Sequence, residues 1–218
     1  MHRFYQIAID GPCGVGKSTI ANNIAKKLNF TYINTGAMYR CYALNLLNNN
    51  IDINDTNAIL KTIKKSNIEL NGNKYFLNGK DVTKDISNAN ISILSSKIAT
   101  ISEVRKICVS LQQKIAQGIN CVMEGRDIGS IVLPNATLKV YLDANIDLRA
   151  KRRWLQMNKN ESFDSVKEKI IERDNKDKNR EISPLVRLPD AFYVYDHGQS
   201  INEISNLIIE KFKEIINE

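Results

Sequence analysis

Gly11-Pro-Cys-Gly-Val-Gly16-Lys17-Ser18-Thr19 is the stretch that decides how the rest of the chain is read. Its spacing is G-x-x-x-x-G-K-[ST]. It follows an apolar run, Tyr5-Gln-Ile-Ala-Ile9, and leads into a segment where Ile20, Ile24 and Leu28 recur on one helical face. A strand, a glycine-rich turn and a helix form the context in which this spacing binds phosphate. Glycines let the backbone wrap an anion so that successive N–H groups point at it. The helix N-terminus adds its partial positive charge. Lys17 is expected to reach the β- and γ-phosphates, and the Ser18 hydroxyl to coordinate Mg²⁺. The expected cofactor seat is therefore Gly11, Pro12, Cys13, Gly14, Val15, Gly16, Lys17, Ser18 and Thr19. Such a loop specifies a nucleoside triphosphate and leaves the reaction open.

Outward from the loop, strand-like and helix-like segments alternate. Thr31–Ile33 reads as a second strand, and Thr35-Gly36 opens a helix to about Leu47, stopped by Asn48, Asn49 and Asn50. Between Ile68 and Val82 the texture changes: short runs are separated by Asn71-Gly72-Asn73 and Asn78-Gly79, a strong hairpin signal. Thr100-Ile-Ser-Glu103 has capping-box spacing and is expected to start a helix ending at Gly118. Asn120–Glu124 and Thr137–Leu142 are apolar runs of the kind buried on both sheet faces, and Ala191–Tyr195 is a fifth strand. The tail from Ile201 to Ile216 is amphipathic, with Ile204, Leu207, Ile208, Phe212, Ile215 and Ile216 expected inward. These elements predict an α/β fold, a five-stranded parallel sheet with helices on both faces, carrying a small antiparallel insert and a helical lid.

With 218 residues and 43% hydrophobic content, the chain suits one compact domain. A net charge of +7 is compatible with nucleic acid, a membrane surface or small polyphosphates, and does not choose among them. The four cysteines, Cys13, Cys41, Cys108 and Cys121, form no CxxC pair, and His2 and His197 stand far apart. Neither a zinc site nor a disulfide framework is expected. No leader pattern and no bilayer-length apolar run is seen, so a reducing, cytoplasmic compartment is expected.

The chemistry is sought among the arginines. A kinase acting on a phosphorylated acceptor brings two highly charged groups together, and only several cations in a water-excluding site offset that repulsion. Guanidinium suits the task because its fork matches phosphate oxygens. Arg40 lies early in the helix after Thr35-Gly36, and Arg126 follows a central strand, at the edge where open α/β sheets bind ligands. Val166, Ile170, Arg173, Asp177 and Arg180 recur at helical spacing on a face that begins apolar and becomes charged, as on a helix lining a polar cleft. Arg149, Arg152 and Arg153 form a second basic group that fits a mobile lid over the triphosphate. Asn175-Lys176-Asp177 is one residue short of a guanine signature. Glu124-Gly-Arg-Asp127 is not the Asp-Glu strand end of helicases and transport ATPases.

Together, IDGPCGVGKST, NTGAMYR, SEVR, EGRDIGS, VYLDA, ERDNKDKNR and the SPL that follows resemble the bacterial-type cytidylate kinases, members of the nucleoside monophosphate kinase group. The resemblance implies one kinase domain over residues 1–218, with an acceptor-binding insert at about 61–104 and a lid at about 147–178. It implies MgATP bound by Gly11 through Thr19, with Arg149 and Arg153 serving the donor side. It implies that Arg40 and Arg126 grip the acceptor phosphate, with Thr35 keeping the hydroxyl of a frequent Ser. Ser96, Arg105 and Asp127 match positions that contact cytosine, Arg173 and Asp177 positions near the acceptor sugar, and Arg180 one near the transferring phosphoryl group. Lys17, Arg40, Arg126 and Arg180 are thus the implied catalytic set. Cys13 stands where Ser or Ala is common, and Glu124 where Asp is frequent. No role is carried onto Tyr195-Asp-His-Gly198, which matches only loosely.

The implied reaction is in-line transfer of the γ-phosphoryl group of MgATP to CMP or dCMP, by a monomer that binds neither nucleic acid nor membrane. Two alternatives stand beside it. One is a kinase for another small acceptor, such as UMP, AMP or a metabolite. The other is a nucleotide-regulated nucleic-acid-binding protein, suggested by the basic balance.

Overall fold

A computed structural model describes residues 4–157 and 159–217 of the chain; His2 lies outside the described residues. The elements run β1 (Gln6–Asp10), α1 (Lys17–Leu28), β2 (Thr31–Asn34), α2 (Thr35–Asn48), α3 (Thr56–Lys64), β3 (Ile68–Asn71), β4 (Lys74–Leu77) and β5 (Lys80–Asp81). They continue α4 (Ala89–Ile98), α5 (Ser102–Ala116), β6 (Cys121–Gly125), β7 (Leu138–Ala144), α6 (Ile146–Gln156), α7 (Phe163–Lys178), β8 (Phe192–Asp196) and α8 (Ile201–Asn217). Two compact units emerge: Met1–Ile33 with Gly118–Glu218, and Asn34–Gln117.

The first unit carries the parallel sheet, in the order β2-β6-β1-β7-β8. Central β1 pairs in parallel with β6 and with β7, Ile9 lying opposite Glu124 on one side and Val140 on the other. Side chains alternate across the pleat. Ile7 and Ile9, Val122, Leu138, Val140, Leu142 and Val194 therefore share one core with Ile20, Ile24, Ile204, Ile208 and Phe212 of α1 and α8. Phe212 meets Tyr5 and Phe30 edge-on, each with ring centroids 5.7 Å apart. The strands are largely apolar, as those of a parallel sheet with covered faces are. Leu207, expected inward, is 42% exposed, and Ile209 is buried in its place. The buried stripe on α8 is shifted, which the consecutive Leu207, Ile208 and Ile209 cannot reveal by periodicity. A smaller cluster, Ala150, Val166 and Ile170 with Trp154 and Phe163, joins α6 to α7.

The second unit is built on α2. Asn34 caps that helix, its side chain accepting from the Ala37 amide at 2.9 Å. Strands β3, β4 and β5 form an antiparallel meander. Asn78 (φ 51°) and Gly79 (φ 81°) both take the left-handed conformation that a two-residue hairpin turn requires, which is why Asn-Gly stands there. Buried Ile59, Ile63, Ile98, Val104 and Cys108 complete the interior. Helices α3 and α4 were not anticipated from sequence, their apolar spacing being short and interrupted by asparagine and serine. The capping-box expectation at Thr100 also fails: its hydroxyl donates to the Lys97 carbonyl at 2.7 Å, closing α4, and α5 begins at Ser102 with no side-chain cap.

Candidate functional site

The loop between β1 and α1 lies at the carboxyl edge of the sheet's central strand, where open α/β sheets bind ligands. Its shape is enforced by close packing. A Cβ on Gly11 (φ 155°) would stand 2.1 Å from the Leu142 carbonyl oxygen, so only glycine lets the chain leave β1 beside β7. Helix α1 then starts at Gly16, with no side-chain cap and no carboxylate in its first turn. The helix thus sets no side chain of its own against its N-terminal dipole, an arrangement that favours an anion.

Lys17 is buried, and its ammonium donates to the Pro12 carbonyl at 2.7 Å, back across the loop. Burial, reinforced by the Arg126 charge and only partly offset by Glu124, brings its pKa down to about 7. Ser18 donates its hydroxyl to Glu124 at 2.7 Å, and the Tyr32 hydroxyl stands 3.4 Å from the same carboxylate oxygen. Glu124, on β6, is itself buried. Among the described residues, no cluster of three or more His, Cys, Asp or Glu side chains could hold a metal on its own. A cation here would take most of its oxygens from a ligand and water, as Mg²⁺ does with phosphates.

Immediately beyond β6, Arg126 donates from Nε to Asp177 at 2.7 Å and from Nη1 to the Gly125 carbonyl at 3.1 Å. Arg180 approaches the other Asp177 oxygen at 3.6 Å. Burial opposes the charge on Asp177, yet Arg126, Arg180 and Arg173 together hold its pKa below the usual carboxylate value. Burial likewise opposes the charge on Arg126, and Asp177, Cys13 and Glu124 together outweigh it, raising the pKa above the ordinary arginine value. Arg126, Arg173, Asp177 and Arg180, scattered over 55 positions of sequence, thus form one charged cluster. The Arg173 Nε is buried and has no hydrogen-bond partner among the described residues. A buried guanidinium N–H without an acceptor is costly, and an anionic ligand would satisfy it.

Asp127 is buried at the start of a π-helical turn, Ile128–Val132, whose Ile131 and Val132 amides donate to its carbonyl. Asp10, at the end of β1, ties that turn down. Its carboxylate accepts from the Ile128 amide at 2.9 Å and the Gly129 amide at 2.8 Å. Burial brings the Asp10 pKa up to about 6 despite those two bonds. Sequence reasoning gave Asp10 no part; only its place at the end of the strand before the loop could have hinted at one.

Of the basic group on α6, two arginines are engaged within the protein. Arg149 donates to the Cys13 carbonyl at 2.9 Å and the Ala144 carbonyl at 3.1 Å, and pairs with Asp174 of α7. Arg152 pairs with buried Asp196 at 2.5 Å. Arg153 is half-buried with no ion pair among the described residues. The expectation of three arginines poised over a triphosphate is therefore met by neither Arg149 nor Arg152 as they stand. Asp174, which sequence reasoning passed over between Arg173 and Asp177, faces the same way as Val166, Ile170 and Asp177, all buried on α7.

In the second unit, Thr35 is buried at the start of α2 and Arg40 lies one turn on, half-buried. A Cβ on Gly36 would stand 3.3 Å from the Arg40 guanidinium, so glycine leaves room for that side chain to fold back on the helix start. Arg105 of α5 is buried, lies over the Tyr39 ring at 5.8 Å and donates to the Ala99 carbonyl at 3.0 Å. Ser96 is half-buried on α4. Tyr75, from the meander, clamps the turn into α2: its hydroxyl accepts from the Asn34 amide at 2.9 Å and donates to the Asn34 carbonyl at 3.1 Å.

Comparison of sequences with known proteins points to one family. A family model described as cytidylate kinase matches residues 7–214. A cytidylate kinase of Alkaliphilus oremlandii is 44% identical, with 97% of this chain and 99% of that protein aligned. One from Caldanaerobacter subterraneus is 46% identical over 98% of this chain and 95% of its own length, and one from Fusobacterium nucleatum is 42% identical over 96% and 97%. Among solved structures, shikimate kinase from Bacteroides thetaiotaomicron superposes with a TM-score of 0.52 at 13% identity, covering 96% of this chain and 98% of that one. Shikimate kinase from Acinetobacter baumannii gives 0.51 at 13% identity over 97% and 94%; at such identities the likeness concerns the fold alone. With a family model over nearly its whole length and relatives above 40% identity aligned end to end, the chain belongs to the cytidylate kinase family.

Proposed function

We propose that the chain is an ATP-dependent kinase of CMP and dCMP, moving the γ-phosphoryl group of ATP to the acceptor's phosphate and releasing ADP. The observation that carries this is the family match over residues 7–214, on a chain whose glycine-rich loop follows β1 while Arg126 follows the neighbouring β6. The acceptor's phosphate oxygen is already a nucleophile, so no general base is required. Catalysis rests on positioning and charge.

The roles follow the chemistry of each group. Gly11 through Thr19 cradle the donor's phosphates, with Lys17 neutralising charge that grows on the transferred group. Ser18, with Glu124 behind it, would hold Mg²⁺, which on binding draws charge from the phosphate oxygens. Arg40 and Arg126 grip the acceptor phosphate, and Arg180 stabilises the group in flight. Asp177 holds Arg126 and Arg180 in place, and with Arg173 it serves the acceptor's sugar. Arg153 is the lid cation left for the donor. Thr35, Ser96, Arg105 and Asp127 serve the acceptor, Asp127 accepting from cytosine's exocyclic amine. A cytoplasmic monomer belongs to the same reading. Among the described residues no helix is long and apolar enough to cross a membrane.

The test is a panel of CMP, dCMP, UMP, AMP and non-nucleotide acceptors with coupled ADP detection. ADP release dependent on CMP or dCMP is expected. Equal rates with every acceptor, or none with CMP, refute the assignment.

A further inference from the structure

Helix α6 meets the phosphate loop from behind at two places. Arg149 donates to the Cys13 carbonyl at 2.9 Å, and Arg152 approaches the Val15 carbonyl at 3.4 Å. Each guanidinium is also bound to a buried carboxylate from another element: Arg149 to Asp174 on α7, Arg152 to Asp196 at the end of β8. Asp174 does more than neutralise its partner. Its second oxygen accepts from the Cys13 amide at 2.8 Å. The Cys13 amide, Asp174, Arg149 and the Cys13 carbonyl therefore close a ring, in which one residue of the loop has both backbone groups held by two side chains. Asp174 and Arg149 lie on the two helices that sequence reasoning assigned to a closing lid.

We infer that Asp174 and Arg149 are positioning residues that clasp the phosphate loop at Cys13 and fix its shape for the donor nucleotide. The physical reason lies in the alternation of a wrapped backbone. When the carbonyls at 13 and 15 are engaged by guanidinium groups on one side, the amides from Gly14 onward are restrained on the other. A loop so restrained loses less conformational freedom when phosphate binds. The clasp also links donor binding to the packing of α6 on α7, because the loop cannot keep its Cys13 geometry if either helix withdraws. Arg149 accordingly acts through the loop and not by contact with the donor. This inference rests on the reading of Gly11–Thr19 as the donor's phosphate seat, which the first arm of the experiment tests separately.

Cys13 supplies a readout independent of turnover. It is half-buried, while Cys41, Cys108 and Cys121 are buried, so iodoacetamide should label it selectively. The experiment measures Cys13 alkylation by peptide mass spectrometry, with and without MgADP, alongside KM for ATP and for CMP. In the wild type, protection by MgADP is expected; alkylation indifferent to MgADP overturns the phosphate seat itself. Asp174→Asn keeps an acceptor for the Cys13 amide but turns an amide group toward Arg149. It should raise the Cys13 alkylation rate and KM for ATP by about tenfold each, the effect of losing one charge-assisted hydrogen bond, with KM for CMP unchanged. Arg149→Lys keeps the charge but cannot reach Asp174 and both carbonyls from one planar fork, and it should move both readouts the same way. It also serves should Asp174→Asn fail to fold. Wild-type alkylation and wild-type KM for ATP in either folded variant overturns the clasp. So does an equal rise in both KM values, which would mean a general loss of structure.

Discussion

Lys17 offers a perturbation that needs no mutation. Its pKa in the free protein is about 7, against an ordinary 10.5, because burial and the nearby Arg126 charge outweigh Glu124. Bound triphosphate places several negative charges beside the ammonium and returns its pKa toward the ordinary value. At pH 7 about half of the free sites are then uncharged, at pH 8 about nine-tenths, and at pH 9 about ninety-nine in a hundred. Binding must recharge them, so complex formation takes up about half a proton at pH 7 and about 0.9 at pH 8. Apparent Kd for MgATP should weaken about tenfold per pH unit above 7.5. MgATP is already fully ionised there, so the ligand adds no slope of its own. Calorimetry in two buffers of different ionisation enthalpy reads the proton count directly. In the Lys17→Met variant both the slope and the uptake should vanish. Zero uptake by the wild type at pH 8, or an unchanged slope in that variant, refutes the reasoning. The same shift acts on the unliganded fold. Between pH 7 and 10.5 the unfolded chain binds more protons at this site than the folded one. Stability should therefore rise with pH across that window as far as Lys17 is concerned.

Three further outcomes are expected. Asp127→Ala should narrow the CMP-over-UMP ratio of kcat/KM by at least roughly tenfold, because uracil presents a carbonyl where cytosine presents an amine; an unchanged ratio removes Asp127 from base recognition. Gly11→Ala places a methyl 2.1 Å from the Leu142 carbonyl oxygen, so β1 and β7 must separate. A loss of about 1–3 kcal/mol by denaturant titration is expected, together with loss of nucleotide binding; wild-type behaviour in both would show that the close approach is not rigid. Tyr75→Phe removes one hydroxyl bonded to both backbone groups of Asn34 and should lower stability by about 1–3 kcal/mol. An unmoved denaturation midpoint would mean that the meander does not secure the start of α2.

Much of the first unit was legible because it is written in local code. The G-x-x-x-x-G-K-[ST] spacing, the 3.6-residue recurrence along α1 and the largely apolar runs of β6 and β7 each depend on residues within a turn or two of one another. So does Asn78-Gly79, whose two left-handed residues dictate a hairpin wherever they fall. The short helices α3 and α4 escaped because each carries only two or three inward side chains, too few to set a period. Leu207 and Ile209 exchanged places because a tail rich in isoleucine and leucine fits two neighbouring stripes equally well.

The sequence by itself determined that a glycine-rich loop opens a parallel α/β sheet, and it marked a set of arginines as candidates for the site. Only the tertiary structure decided which of them meet. Arg126 and Asp177 are 51 residues apart, and Asp10 binds amides 118 and 119 residues away. Arg149 looked free to reach a ligand until Asp174 and the Cys13 carbonyl were found around it. The reason is physical. Backbone conformation is chosen by near neighbours in the chain, whereas an ion pair is chosen by distance and burial, and both are fixed only when strands and helices far apart in sequence are brought side by side.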